Sequence, residues 1–116
     1  MNDFDIPIFK KVYELYKEFY LCLQNFPRQH KYSLGQKCER IILEILELIV
    51  YAGQLTKAEK LPHLSKASLK INLLRIHLRL AQDIKALDNK HYLVLQQSID
   101  EIGRMLGGWI KMAKGI

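Results

Sequence analysis

The chain has 116 residues, 49% of them hydrophobic and 26% charged, and carries a net charge of +6 at neutral pH. That length supports one hydrophobic core, and that balance of apolar and charged residues excludes a disordered chain. With only three prolines and six glycines to interrupt it, the whole of 1–116 reads as one domain of long helices.

A first helix is predicted from about Asp5 to Asn25. Asp5 can cap it, Pro7 suits its first turn, and Phe9, Val12, Tyr16, Phe19, Leu23 and Phe26 recur at helical spacing. Pro27 stops it, because a proline pushes the preceding residue out of the helical region. Ser33-Leu34-Gly35-Gln36 fits an S-x-x-Q capping box, which predicts a second helix starting at Ser33, with 27–32 as a connector. Its core stripe is Leu34, Cys38, Ile41, Ile45, Leu48, Ile49 and Ala52, and the stretch from Gly53 to Lys60 ends it. A third helix is expected from Pro62 to about Leu87, a turn at Asp88-Asn89, and a fourth helix from about Lys90 to Lys114. Four helices with short connections predict an up-down-up-down four-helix bundle.

The third helix carries two apolar stripes. Leu64, Ala67, Ile71, Leu74, Leu78 and Ala81 fall on one face, the expected core. Leu69, Leu73, Ile76, Leu80 and Leu87 fall on the opposite face. Arg75 and Arg79 lie one turn apart between the stripes, with Asn72 beside them, while Lys66, Lys70 and His77 fill the other gap. A bundle monomer buries one stripe per helix, so the second predicts a homo-oligomer with Leu69, Leu73, Ile76 and Leu80 at its interface. The second helix shows a weaker excess at Leu43, Leu46 and Val50. In the fourth helix the stripe is Leu95, Ile99, Ile102, Leu106, Trp109 and Ala113, with Gly103 and Gly107 beside it. Glycine inside a helix costs about 1 kcal/mol relative to alanine, so the expectation is close approach of a neighbouring backbone.

Catalysis and metal binding need converging side chains, and the required spacings are missing. The histidines at 30, 63, 77 and 91 form no H-x-x-x-H and no E-x-x-H pair, so no metal and no cofactor are expected. Arg28/His30 and Arg75/His77 lie too close together for the arginine–histidine spacing of small helical nucleases of the HEPN class. Cys22 and Cys38 show no C-x-x-C spacing and read as buried free thiols of a reducing compartment. The longest apolar candidate, from Ile41 to Ala52, is broken by Glu44 and Glu47 and falls short of the roughly 20 residues of a membrane span. The acidic N-terminus is unlike a signal peptide, so a cytoplasmic, non-enzymatic protein without a membrane partner is expected.

Charge is uneven along the chain. Residues 1–61 hold nine Lys/Arg against eight Asp/Glu, and residues 62–116 hold nine against four. A basic half favours a polyanionic partner.

Asp100-Glu101-Ile102-Gly103-Arg104-Met105-Leu106-Gly107-Gly108-Trp109-Ile110-Lys111 resembles the E-[IV]-G-R-x-L-G-x-W-I segment of the Avd proteins, the accessory variability determinants of diversity-generating retroelements. Leu74-Arg75-Ile76-His77-Leu78-Arg79-Leu80 is similar to the L-R-x-x-L-R segment of their third helix, and Phe26-Pro27-Arg28-Gln29-His30-Lys31-Tyr32 to the connector before their second. A looser form of that connector marks the wider set of S23-like four-helix bundle proteins. The resemblance implies a ring-like homopentamer of bundles whose basic surface binds the element's reverse transcriptase and RNA or DNA. It also implies a role in mutagenic copying of template RNA without performing the chemistry. By the same resemblance Arg75 and Arg79 match third-helix arginines that bind the partner, and Arg104 lies in the matching stretch of the fourth helix. The alternative is an oligomeric structural or RNA-associated bundle of the S23-like kind with no polymerase partner. The plainer roles remain open: Arg75 and Arg79 as a solvated face or a salt bridge to Asp83, Arg104 as a partner of Asp100 or Glu101, and Lys66 and Lys70 as solvated charge.

Overall fold

The computed structural model describes residues 7–115, so the expected cap at Asp5 lies outside the described residues. Among these residues there are four long helices and no strand: α1 (Pro7–Gln24), α2 (Gln36–Ala52), α3 (Lys57–Asp83) and α4 (Asn89–Lys114). A short helical turn, Arg28–His30, and a π-helical turn, Lys31–Gly35, lead into α2. Each long helix packs on two others in a square, α1 and α3 each lying against α2 and α4.

Cross-helix pairs fix the directions. Between α2 and α3, Lys70 reaches Glu44 and His63 meets Tyr51, so rising numbers on one helix match falling numbers on the other. Arg75 with Asp100 and Lys60 with Trp109 do the same for α3 and α4. Ser98 with Glu18 and Lys11 with Glu101 set α4 antiparallel to α1. The topology is up-down-up-down.

One face of each helix fills the core. Val12, Leu15 and Phe19 of α1 meet Ile42, Ile45 and Ile49 of α2, with Leu64, Leu74 and Leu78 of α3 and Leu95, Ile99 and Ile102 of α4 in the same cluster. Ile42, absent from the expected stripe of the second helix, is fully buried. Tyr16 sits at the edge of the core, where its hydroxyl donates to the Glu39 carboxylate at 3.0 Å. That bond, and then burial, raise the Tyr16 pKa above its ordinary value. No helix of the described residues is long and apolar enough to cross a membrane.

The capping box expected at Ser33 does not form. Helical winding begins earlier, at Arg28, where the Pro27 carbonyl accepts from the N–H groups of His30 and Lys31 at 2.9 Å each. The Ser33 hydroxyl instead donates to the Gln29 carbonyl at 3.0 Å. The chain then widens into the π-helical turn, and Gly35 is what lets it pass α1. A Cβ there would lie 2.5 Å from Leu23 Cδ1 and 3.2 Å from both the His30 carbonyl oxygen and Phe26 Cδ2.

The third helix also starts earlier than expected, at Lys57 rather than Pro62. Thr56 caps it in a reciprocal box: its side chain accepts from Glu59 N–H, and the Glu59 carboxylate accepts from Thr56 N–H at 3.1 Å and from the Thr56 hydroxyl at 2.9 Å. These bonds, the backbone one first, hold the Glu59 carboxyl below its ordinary range. Pro62 lies inside the helix on an exposed face, where its missing N–H leaves the Ala58 carbonyl to water.

α3 ends at Asp83, short of the expected Leu87. Lys85 takes the left-handed conformation, φ 64, and closes a Schellman turn in which Lys85 N–H meets the Gln82 carbonyl and Ala86 N–H the Ala81 carbonyl. The turn folds Ala86 and Leu87 inward, so Leu87 belongs to the core and not to the second apolar stripe. Asp88 then caps α4 by accepting from His91 N–H at 2.8 Å, a bond that lowers its pKa.

Two substitutions test these turns. Gly35→Ala gains about 1 kcal/mol of helix propensity but forces a methyl group against buried Leu23 and Phe26, and overpacking costs typically 1–3 kcal/mol. Urea denaturation should show a net loss of stability. Lys85→Gly removes a strained side chain and should stabilise by about 0.5–1 kcal/mol, after the added entropy of the unfolded glycine is set against it.

Candidate nucleic-acid and partner interface

The outward face of α3 is apolar along its length. Leu69, Ile76 and Leu80 are 60%, 57% and 47% exposed, and Leu73 lies beside them at 36%. Four large aliphatic side chains thus stand in one exposed row, a feature of the kind that marks interaction surfaces. A second exposed group runs along α1, namely Tyr13, Tyr20 and Leu21, and Leu43 of α2, part of the weaker excess expected there, is also exposed. Tyr13, Tyr16 and Tyr20 recur at helical spacing, and that periodicity was the available signal. They look like core residues by type, but the core side of α1 is already filled by Leu15, Phe19 and Leu23.

The apolar stripe of α3 divides its basic residues into two flanks, so the five expected site residues do not form one patch. On the α4 side, Arg75 and Arg104 line a shallow groove with Ser68, Asn72, Asp100 and Gly103. Arg75 is held there: its Nη2 donates to Asp100 at 2.9 Å and its Nη1 to Asn72 at 3.3 Å. Its Nε is buried and has no hydrogen-bond partner. Arg79, one turn on, is two-thirds exposed and only loosely paired with Asp83 at 3.5 Å. Arg104 takes neither acid expected of it, because Asp100 goes to Arg75 and Glu101 to Lys11. On the α2 side, Lys66 and Lys70 line a hollow with Glu44, Glu47, Tyr51 and His63, and Lys70 pairs with Glu44 at 3.2 Å.

Gly103 accommodates a side chain and not the neighbouring backbone expected from its position. A Cβ there would lie 3.2 Å from Nη2 of Arg75, so the bare backbone gives the guanidinium room beside Asp100. Gly107 and Gly108 face open space, with nothing of this chain within 4 Å of a built Cβ. Trp109 is half-buried against the core, with the Lys60 ammonium 5.1 Å from its ring centre.

Nucleophilic chemistry has little footing here. Both cysteines are buried and free, as expected, and burial pushes the Cys38 thiol up to about 12 and raises that of Cys22. Among the described residues no group of three or more His, Cys, Asp or Glu side chains could hold a metal ion. What the surface offers is an apolar helix face flanked by arginines and lysines.

A family model described as bAvd-like matches residues 7–113. The chain belongs to the bAvd-like family. The matched span takes in all four helices, the connector at Phe26 and the Gly103–Trp109 stretch. The family is of an accessory, non-catalytic type. No curated protein matches the chain.

Gly107 and Gly108 give this bAvd-like chain a two-sided test. With open space around both, Gly107→Ala and Gly108→Ala should each stabilise the isolated subunit by about 1 kcal/mol in thermal denaturation. If a partner backbone seats there, the same changes should weaken the complex while the subunit gains stability.

Proposed function

We propose that this chain is a non-enzymatic accessory factor of a diversity-generating retroelement. In this reading it assembles into a homopentameric ring in the cytoplasm. It binds the element's reverse transcriptase and nucleic acid through basic surfaces, and so supports mutagenic copying of template RNA. The observation that carries the reading is the family match over residues 7–113. The apolar face of α3 supports the assembly, since fully burying a leucine or isoleucine side chain contributes about 1.5–3 kcal/mol. Leu69, Leu73, Ile76 and Leu80 are its interface residues. The flanks beside them, Arg75, Arg79 and Arg104 on one side and Lys66 and Lys70 on the other, are the contacts for polymerase and phosphate. Repetition around a ring turns each modest flank into a multivalent surface without any new contact.

Three measurements test this. Light scattering of the wild type at micromolar concentration should give an oligomer, and Leu69→Glu with Ile76→Glu should give a helical monomer. A monomeric wild type would overturn the interface. A reverse transcriptase encoded beside this gene should be captured by the wild type and much less by Arg79→Glu with Arg104→Glu. Absence of a reverse transcriptase and of template and variable repeats from the neighbouring genes would favour the S23-like alternative.

A further inference from the structure

Several of the positive charges along the bundle sides are matched, although Lys10, Arg40, Lys66 and Arg104 form no ion pair among the described residues. Lys11, Lys70, Arg75 and Arg79 each lie against a carboxylate, on Glu101, Glu44, Asp100 and Asp83 respectively. The cations at one end are not. The end that carries the α1–α2 and α3–α4 connectors presents Arg28, Lys31, Lys37, Lys85 and Lys90, and none of these five forms an ion pair among the described residues. The two connectors meet there, because Asn25 and Pro27 of one line a cleft with Lys85 and Asp88 of the other. Asp88 is the acid of that cleft, and its oxygens are occupied by the backbone and ring nitrogens of His91.

Two further features fit that end to a ligand. Tyr32 is 62% exposed, with the Lys31 ammonium 5.9 Å from its ring centre, so an exposed aromatic ring stands beside one of these cations. It is placed there by the π-helical turn, a wide turn that Gly35 makes possible and that recurs at functional sites. Lys85 occupies a left-handed position that glycine would fill with less strain, so the chain carries a charge there at some cost in stability.

We infer that the connector end of the bundle, built from Arg28, Lys31, Tyr32, Lys85 and Lys90, is a docking surface for the phosphate backbone of single-stranded nucleic acid, with Tyr32 as a stacking platform for a base. The inference rests on the nucleic-acid part of the proposed function and adds to it a contact for single-stranded nucleic acid apart from the arginine groove of α3. Unpaired cations supply the phosphate contacts. The exposed aromatic selects a base-bearing polyanion over an acidic peptide. The opposite end is a weaker candidate although it holds lysines. Lys60 lies over Trp109, and Lys111 and Lys114 sit in the last turn of α4, where they offset its negative end.

The test is fluorescence anisotropy with a labelled oligouridylate across a salt series. It would use the full chain, the triple variant Arg28→Gln/Lys31→Gln/Lys90→Gln, the single variant Tyr32→Ala, an opposite-end control Lys57→Gln/Lys111→Gln and a groove control Arg79→Gln/Arg104→Gln. The triple variant should bind on the order of tenfold more weakly, with a shallower salt dependence, each lost phosphate contact lowering the slope by about 0.7. Tyr32→Ala should weaken binding with the salt slope unchanged, a readout that loss of charge or of folding would not give. The opposite-end control should bind like the wild type. Equal weakening by the triple variant and that control would overturn the inference in favour of a diffuse field. Loss of binding in the groove control alone would overturn the inference and leave the proposed function standing. A wild type that binds no oligouridylate at low salt would overturn both. Circular dichroism melting of every variant separates lost contact from lost structure.

Discussion

The interior that holds the four helices together is wholly apolar. From Ile8 to Ala113 the buried interior contains no polar or charged side chain among the described residues, so no internal hydrogen bond fixes the register of one helix against the next. That task falls to side-chain shape in the core and to the geometry of the connectors. Gly35 allows the end of α1 to close on the lead-in to α2, and Lys85 turns the chain so that Ala86 and Leu87 seal the bundle. An interior of this kind also leaves no chemistry inside, since its titratable groups are two buried thiols whose ionisation burial opposes.

The surface is divided by the same helical geometry. A helix turning once every 3.6 residues gives α3 an inward stripe, an outward stripe and two polar seams between them. The outward stripe is apolar, and each seam meets a neighbouring helix that supplies acids: Asp100 of α4 on one side, Glu44 of α2 on the other. These pairs are only partly buried, and surface pairs contribute little to stability, about 0–1 kcal/mol. Their larger effect is to use up cations that would otherwise face a ligand. The ends of the bundle escape this pairing because they are made of connectors and first turns.

Much of the fold was legible in the sequence. The stripes from Leu64 to Ala81 and from Leu95 to Ala113 are set by 3.6-residue periodicity, which tertiary packing obeys closely when a helix has one buried side. Helix starts were read less well, for a specific reason. Ser33-x-x-Gln36 and Thr56-x-x-Glu59 both match a capping box, but only the second forms. Pro27 had already started the winding ahead of Ser33, whereas nothing upstream of Thr56 competes with it. Pro62, from which the third helix was expected to run, instead lies inside it, five residues after its start at Lys57. The groove was partly legible: Arg75 and Arg104, both singled out in the sequence, line it, while Arg79 lies one turn beyond, and the sequence could not say that Asp100 would hold Arg75 or that Gly103 would make room for it.

An even number of antiparallel helices returns the chain to the side from which it entered, so Pro7 and Gly115 lie at the same end, beside the α2–α3 connector. The bundle is therefore polar along its axis, with entry and exit at one pole and the two cation-bearing connectors at the other. Cyclic symmetry keeps every copy pointing the same way. A ring of such subunits would have two unlike rims, and a tether attached at either chain end would mark one of them while leaving the other clear.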